Sequence, residues 1–478
     1  MSSVEWERAR HTAERSSSVG QLNALPEAEL PQHPELILAA FRDCRRHSLD
    51  LAAPLSPEDM QLQSMPDASP TKWHLAHTTW FFETFILQHH EPNFRWFDAS
   101  FCVLFNSYYN GVGAQFSRPH RGLLSRPSLS RVLSYREAVN DRIEQLLTGL
   151  GAAGADRGSA VTLPAGDAST RIPCLVRLGV NHEQQHQELL LTDIKHALAQ
   201  NPAWPAYVAT GQGTPATAAI AAIDAGAALE VDPLTWIDLP EGLARIGHQG
   251  PGFHFDNEGP AHEAWLPGCQ LASRPVSNGE WLAFMADGGY ENPLLWLDEG
   301  WAWRRTNNVL CPLHWRRGEG GWSQFTLRGE QAVDPAHPVA HVSYYEAEAY
   351  ARWAGARLPT EFEREAAERQ AVWSTAGPDD ETASVKSQGA TPSDHIAVEE
   401  YVRNWEWTGS AYLPYPGFQA ATGAVGEYNG KFMVNQMVLR GASAATPEGH
   451  SRVSYRNFFP AHARWQYTGM RLARGTGA

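Results

Sequence analysis

Four segments in the first part of the chain repeat apolar side chains at i, i+3 and i+4: ELILAAFRDCRRHSLDLAA (35–53), TKWHLAHTTWFFETFILQHH (71–90), SLSRVLSYREAVNDRIEQLLTGL (128–150) and CLVRLGVNHEQQHQELLLTDIKHALAQ (174–200). That period predicts four amphipathic helices. Joined by loops, they bury their apolar stripes best against one another, as a bundle. One connection, residues 91–127, is longer than a bundle needs and is rich in Tyr, Arg, Gly and Pro. Long irregular loops in compact domains are often functional.

The pattern changes along the chain. Residues 1–30 are polar and are expected to form a flexible N-terminal segment. The bundle is assigned to residues 31–205. Residues 206–233, with the Ala/Gly/Thr-rich run ATGQGTPATAAIAAIDAGAALE at their centre, read as a linker. From residue 234 to 478 Trp, Gly and Pro become dense and apolar runs shorten, and YYEAEAYARWAG (344–355) is the one clear helix. An irregular α+β domain with short strands and long structured loops is the expectation. The fold class is therefore multidomain, α followed by α+β, with no internal repeat.

Bulk properties narrow the function. Hydrophobic residues make up 43% and charged residues 19%, as in ordinary globular proteins. A net charge of -15 argues against nucleic acid or an anionic membrane as the main partner. No window approaches the roughly 20 apolar residues needed to span a bilayer, and the opening MSSVEWERARHTAERSSS is charged rather than signal-like. A cytoplasmic protein is expected. The five cysteines are scattered, with no C-x-x-C pair, so a metal here would be held by nitrogen and oxygen.

His182 and His186 sit at i, i+4, which puts both imidazoles on one helical face at a spacing that one metal ion can bridge. His74 and His77 in KWHLAH form an i, i+3 pair on a second helix. Bundles assemble metal sites from side chains on facing helices. A lone H-x-x-x-H is weak by itself. The apolar stretches TTWFFETF and ELLLTDI beside these histidines turn them inward, and buried imidazoles need a partner. HEQQH also matches the H-E-x-x-H pattern at Glu183, so the residues alone leave a hydrolytic zinc site open. His196, near the helix end, reads as a solvent or capping histidine.

KWHLAHTTWFFE with NHEQQHQELLLTD, the loop NSYYNGVG with RPHRGLLSRPS, and VSYYEAEAYARWAGARLPTEFEREAA together resemble the hercynine-dependent sulfoxide synthases of ergothioneine biosynthesis and their relatives, the selenoneine synthases. The likeness spans nearly the whole chain after residue 30. It implies a DinB-like four-helix bundle fused to a formylglycine-generating-enzyme-like domain of C-type-lectin architecture, with the active site between them. It also implies Fe(2+) held by His77, His182 and His186, and hercynine, a chalcogen donor and O2 as reactants. Three neutral imidazoles leave half of an octahedral shell open. His74 then becomes a supporting residue and Glu183 loses any catalytic role.

The same resemblance assigns Tyr108 and Tyr109 as tandem tyrosines beside the metal, with Tyr109 as the proton donor. Gln185, Asn457, Phe458 and Phe459 fall where it expects the substrate pocket, aromatic faces suiting the trimethylammonium group of hercynine. NWEWTGS and GARLPTEFE read as structural signatures of the second domain. The cysteines used by formylglycine-generating enzymes are not found at the matching place. Family members that take cysteine or γ-glutamylcysteine carry an R-x-x-R pattern after the tyrosine loop, whereas this chain has GAQFSRPHRG. Arg118 remains, with Arg121 nearby, but Gln115 replaces the first arginine. A neutral Gln beside Phe116 would suit a selenosugar; cysteine or γ-glutamylcysteine, its carboxylate held by Arg118 or Arg121, is the alternative donor. A zinc-dependent thiol transferase, and a binding protein with a structural metal, are the rival classes.

Overall fold

The computed structural model describes residues 17–155, 168–208, 233–319, 321–370, 403–422 and 424–476. The chain is multidomain, helical in its first part and sheet-bearing in its second. Four long helices appear where the apolar period places them: α2 (Pro34–Ala52), α3 (Thr71–Phe82), α4 (Leu129–Ala155) and α5 (Ala168–Ala199), with α1 (Ser18–Ala24) ahead of them. The α3 helix runs on through a π-helical turn, Glu83–Leu87, to His90. Such turns tend to occur near functional sites. All twelve residues of α3 are buried, so it has no solvent stripe. The amphipathic pattern expected of it is replaced by burial on every side, because the 91–127 loop covers the face that α4 and α5 leave free.

Residues 17–30 depart from the loosely held segment expected of 1–30, and residues 1–16 lie outside the described residues. The Ser17 hydroxyl caps α1 by accepting from Gly20 N at 3.1 Å, and Val19, Leu22 and Leu30 are buried. Seven residues are too few to show a helical period, but three apolar side chains suffice to pin the segment. Asn23 then ties both domains together, reaching Asn181 Oδ1 and the Gly449 carbonyl, each at 3.0 Å. Of the expected linker, Tyr207 and Val208 are packed, their amides on the Leu327 carbonyl at 2.8 and 3.0 Å. Residues 209–232 lie outside the described residues.

In the second domain the strands are short: β1 (Trp236–Leu239), β2 (Gly242–Ile246), β3 (His262–Leu266), β4 (Cys269–Ala272), β5 (Trp315–Gly318), β6 (Gly321–Thr326), β7 (Gly329–Ala332), β8 (Trp405–Ala411), β9 (Met437–Arg440), β10 (Asn457–Phe459), β11 (Thr468–Met470) and β12 (Ala473–Gly475). They form sheets ordered β1-β4-β12, β10-β9-β8-β11, β2-β3 and β5-β6-β7, with β8 and β11 parallel and the other pairs antiparallel. Helices α6 (Asn278–Ala286), α7 (Asp298–Thr306) and α9 (Glu361–Arg369) join the expected α8 (Tyr344–Trp353). The three extra helices are nine residues each, too short for a clear period. Capping boxes at Ser277/Glu280, Ser343/Glu346 and Thr360/Glu363 start α6, α8 and α9.

So little strand leaves much of the domain to side-chain polar contacts. Glu361 accepts from Arg440 at 3.0 Å and Arg456 at 2.9 Å, and Glu406 from Arg364 at 2.7 Å and Arg471 at 2.9 Å, all of them buried. Glu361 of GARLPTEFE and Glu406 of NWEWTGS thus take part in the core, whereas the motif's own pair, Arg357 with Glu363 at 2.7 Å, keeps its arginine only half-buried. NWEWTGS does something further. Trp407 caps the Val342 carbonyl inside the domain, but Trp405 crosses to the bundle and donates to Glu188 of α5 at 2.6 Å. Ser443 and Thr446 donate to the same carboxylate. Helix α5 is therefore a wall shared by both domains.

Candidate metal centre

Helices α3 and α5 meet closely because Gly179 carries no side chain; a Cβ there would lie 2.6 Å from Cε1 of Phe82. One turn further along α5, His182 and His186 face His77 of α3, with ring centroids 5.0 and 4.6 Å from that of His77. One nitrogen from each of the three rings lies within 4.8 Å of the others. Nε2 of His77 and Nε2 of His182 are 3.2 Å apart.

Hydrogen bonds fix which nitrogens face one another. His77 Nδ1 is 2.6 Å from the Phe105 carbonyl, so it carries the hydrogen and leaves the Nε2 lone pair free. His186 Nδ1 is 2.8 Å from His74 Nδ1, and His74 Nε2 is 3.1 Å from Asp193 Oδ2. Both nitrogens of His74 are thereby occupied, so it is not a fourth donor. His182 Nδ1 is buried without a hydrogen-bond partner. Burial keeps all three rings neutral: it holds His77 and His186 well below the usual histidine range and pushes His182 down to about 3. Neutral imidazoles with free lone pairs at one point suit a divalent metal of intermediate softness.

Glu183 points the other way. Arg45 meets it at 2.8 Å, Arg136 pairs with it as well, and Ser48 donates to it. Burial alone would raise its carboxyl, but the two guanidiniums hold it at about 2. The H-E-x-x-H match therefore supplies no base to the three-histidine face, and the hydrolytic zinc alternative loses its catalytic group. His196 also differs from the solvent or cap residue expected of it. It is half-buried, bonds Ser64 Oγ at 2.7 Å and packs against His314.

Tyr109 is fully buried, its ring 5.6 Å from Trp80, which in turn stacks on His77 at 5.5 Å. Burial first, then the neighbouring phenols Tyr108 and Tyr428, raise its hydroxyl well above the usual tyrosine range. Tyr108 stacks on it at 4.6 Å and is itself raised to about 12. The second domain clamps this loop: Glu427 accepts from Asn110 N at 3.0 Å and Gly111 N at 2.6 Å, while Lys431 bonds both Glu427 and the Tyr108 carbonyl.

Residues 228–476 match the Sulfatase-modifying factor enzyme 1-like domain, and residues 40–190 match the DinB superfamily. The chain is 30% identical over 467 residues to a hercynine oxygenase of Mycolicibacterium smegmatis, covering 92% of this chain and 97% of that one. A hercynine oxygenase of Mycolicibacterium thermoresistibile is 30% identical over 457 residues, 90% of this chain and 93% of its own length. One of Mycobacterium tuberculosis is 32% identical over 314 residues, 62% of this chain and 70% of its own. This chain belongs to the hercynine oxygenase family.

As a member of that family of oxidative enzymes, the chain joins its three-histidine face to a seam lined by the second domain. Gln185 lies there with both ends of its amide engaged, Nε2 donating to Tyr455 at 2.9 Å and Oε1 accepting from Tyr428. Phe458 stacks on Tyr412 at 4.0 Å and reaches Tyr108 through Phe432, whose ring is 5.1 Å from that of Tyr108. Phe459 packs instead on Trp465, and the Asn457 side chain accepts from Phe458 N. Gln115 donates to Asn110 at 2.8 Å, and the exposed Arg118 bonds the Asp67 carbonyl.

One residue beside the triad escaped the sequence reading. The Tyr428 ring meets that of His182 edge-on at 5.7 Å, and the only local sign of it is its place between Glu427 and Lys431 in a glycine-flanked loop. Arg121, read as a possible carboxylate partner, is 4% exposed, lies 3.4 Å above the Trp73 ring and bonds Ser69. Among the described residues no helix is long and apolar enough to cross a membrane.

Proposed function

We propose that this protein binds Fe(2+) through His77, His182 and His186 and, with O2, forms a carbon–chalcogen bond at C2 of the hercynine imidazole, taking selenium from a selenosugar. One observation carries the reading. Three neutral imidazoles converge from two helices, with no fourth protein donor among the described residues, beside buried phenols at a domain seam. The hercynine oxygenase kinship supports the substrate. Bound iron would supply the redox chemistry with O2.

The chain's own residues do the rest by placement and by proton supply. Tyr109, raised by burial, stays protonated at neutral pH and holds its proton where the reaction needs it. Tyr428 and Tyr455 fix the amide of Gln185, so this trio presents one rigid polar edge to an imidazole bound beside His182. Lys431 Nζ already lies 4.8 Å from the Tyr108 ring and 5.8 Å from that of Phe432, so the aromatic contact for the quaternary ammonium is left to Phe458. C2 loses its hydrogen as a proton, the two electrons released in joining C2 to the selenolate pass to O2, and the selenium–sugar bond stays intact.

Arginines able to grip a carboxylate bear on the donor. Arg121 is locked under Trp73, and Arg452 is paired with Glu258, so neither offers a free fork to a carboxylate. Gln115 is neutral. Both facts favour a sugar-borne selenolate. A second reading, with cysteine or γ-glutamylcysteine, rests on Arg118, which is exposed and tied only through one carbonyl bond. Anaerobic protein given Fe(II), hercynine and either a selenosugar or cysteine, then oxygen, tests both by mass analysis of the imidazole product. A C2–selenium product is expected. Absence of O2 uptake with every donor overturns the oxidative reading, and a product only with cysteine overturns the selenium donor.

A further inference from the structure

The three imidazoles differ in what stands behind them. The far nitrogen of His77 meets a neutral carbonyl, that of His182 meets nothing, and that of His186 begins a chain ending on a carboxylate. Asp193 lies seven residues beyond His186 on α5, two turns along the same face, and His74 from α3 is inserted between them. A carboxylate only accepts, so His74 Nε2 donates to Asp193. For the His186 Nε2 lone pair to face the metal point, its Nδ1 carries the hydrogen, and His74 Nδ1 accepts it at 2.8 Å. The result is a His186 ring fixed in one tautomer, Nε2 forward, and polarised by a buried negative charge two bonds away.

Asp193 is 4% exposed and is itself held from three sides. Ser69 N donates to Oδ2 at 2.8 Å and Trp465 Nε1 donates to Oδ1 at 3.2 Å. Ser69 lies just ahead of α3, whereas Trp465 belongs to the second domain, where it packs on Phe459 at 5.8 Å.

We infer that Asp193, acting through His74, is a positioning residue that sets the strength and aim of His186 as a metal donor, and that Trp465 makes this setting depend on docking of the second domain. The inference rests on the metal reading of the histidine triad. It gives the second domain a role at the metal besides covering the substrate. Partners behind a metal-bound histidine raise its basicity and fix its tautomer.

The test uses the full chain loaded with Co(II), whose visible absorption reports the donor set. Asp193→Asn keeps the shape and the Ser69 bond but removes the charge. It is expected to weaken Co(II) binding about 10- to 100-fold and to shift the visible bands. His74→Phe should do the same, and Trp465→Phe should shift the bands in the same sense with a smaller loss of affinity. Trp405→Phe is the control, because it breaks an equally direct contact between domains, with Glu188, outside this chain of bonds. It should lower the unfolding midpoint and leave the Co(II) spectrum unchanged. If Asp193→Asn fails to fold, Trp465→Phe decides the matter. Unchanged spectrum and affinity in the folded variants overturn the inference alone. A wild-type chain that takes up no Co(II) overturns the metal reading and the inference with it.

Discussion

Trp73 and His77 stack face to face, with ring centroids 4.7 Å apart and planes 9° from parallel. Trp80 stacks on the same imidazole at 5.5 Å and 19°, so His77 is held between two indoles that its own helix supplies at i−4 and i+3. Arg121 completes the pile on Trp73. A ring so confined has little rotational freedom left to lose on binding a metal. Trp73→Leu should therefore raise the metal dissociation constant about tenfold, in the range seen for supporting residues around metal ligands. Isothermal titration with Co(II) measures this, and an unchanged constant would show that the Phe105 bond alone holds His77.

Tyr109 packs on Trp80, which stacks on His77, while Tyr428 of the second domain meets the His182 ring, and their substitutions should separate. Tyr109→Phe removes the buried phenol proposed as proton donor and should lower kcat by about 10²- to 10⁴-fold with KM little changed. Tyr428→Phe frees the carbonyl end of Gln185 and should act mainly on KM for hercynine. Initial rates of O2 uptake across a range of hercynine concentrations resolve the two. Equal kcat in Tyr109→Phe and wild type would remove Tyr109 from the chemistry.

The bundle was legible because its helices are long. The segment read as 35–53 is Pro34–Ala52, and the i, i+4 spacing of His182 and His186 did put both rings on one face toward His77. The short helices α6, α7 and α9 were not legible, since nine residues show no reliable period, although the Ser277/Glu280 and Thr360/Glu363 spacing marks two of their starts. Tyr428 and Trp465 could not be read at all. Each matters through one residue of α5 more than 240 positions away, Gln185 and Asp193, and no local pattern encodes such a pairing. Glu183 sat in a catalytic-looking motif, and only the positions of Arg45 and Arg136 on two other helices show that it is a buried structural anion.

That anion makes a stability prediction. Glu183→Gln leaves Arg45 and Arg136 facing each other in the core, 2% and 1% exposed, without their shared counter-charge. Breaking a buried pair in this way costs about 3–5 kcal/mol. Urea unfolding should show a loss of that order, while Co(II) affinity of the folded fraction stays near that of wild type. A variant as stable as wild type would mean that the two guanidiniums are compensated elsewhere.

Acid should unfold the metal-free protein early, and the buried histidines give the sign. His182 and His450 are both held down to about 3, in each case chiefly by burial, and Arg452 lowers His450 further. In the unfolded chain an imidazole titrates near about 6.5. Between that value and the folded one the unfolded state binds more protons, so stability falls as pH falls, by about 1.4 kcal/mol per histidine for each pH unit. The urea midpoint of the metal-free chain should therefore drop between about pH 7 and about pH 5. His450→Gln should flatten the drop, because glutamine can still bond Gln184 and Tyr455, which meet the ring at 3.2 and 3.3 Å, without taking up a proton. Loading the triad with metal should flatten it as well, since protons must then displace the ion from His77, His182 and His186. A midpoint independent of pH over this window would show that the buried imidazoles gain protons without loss of the fold.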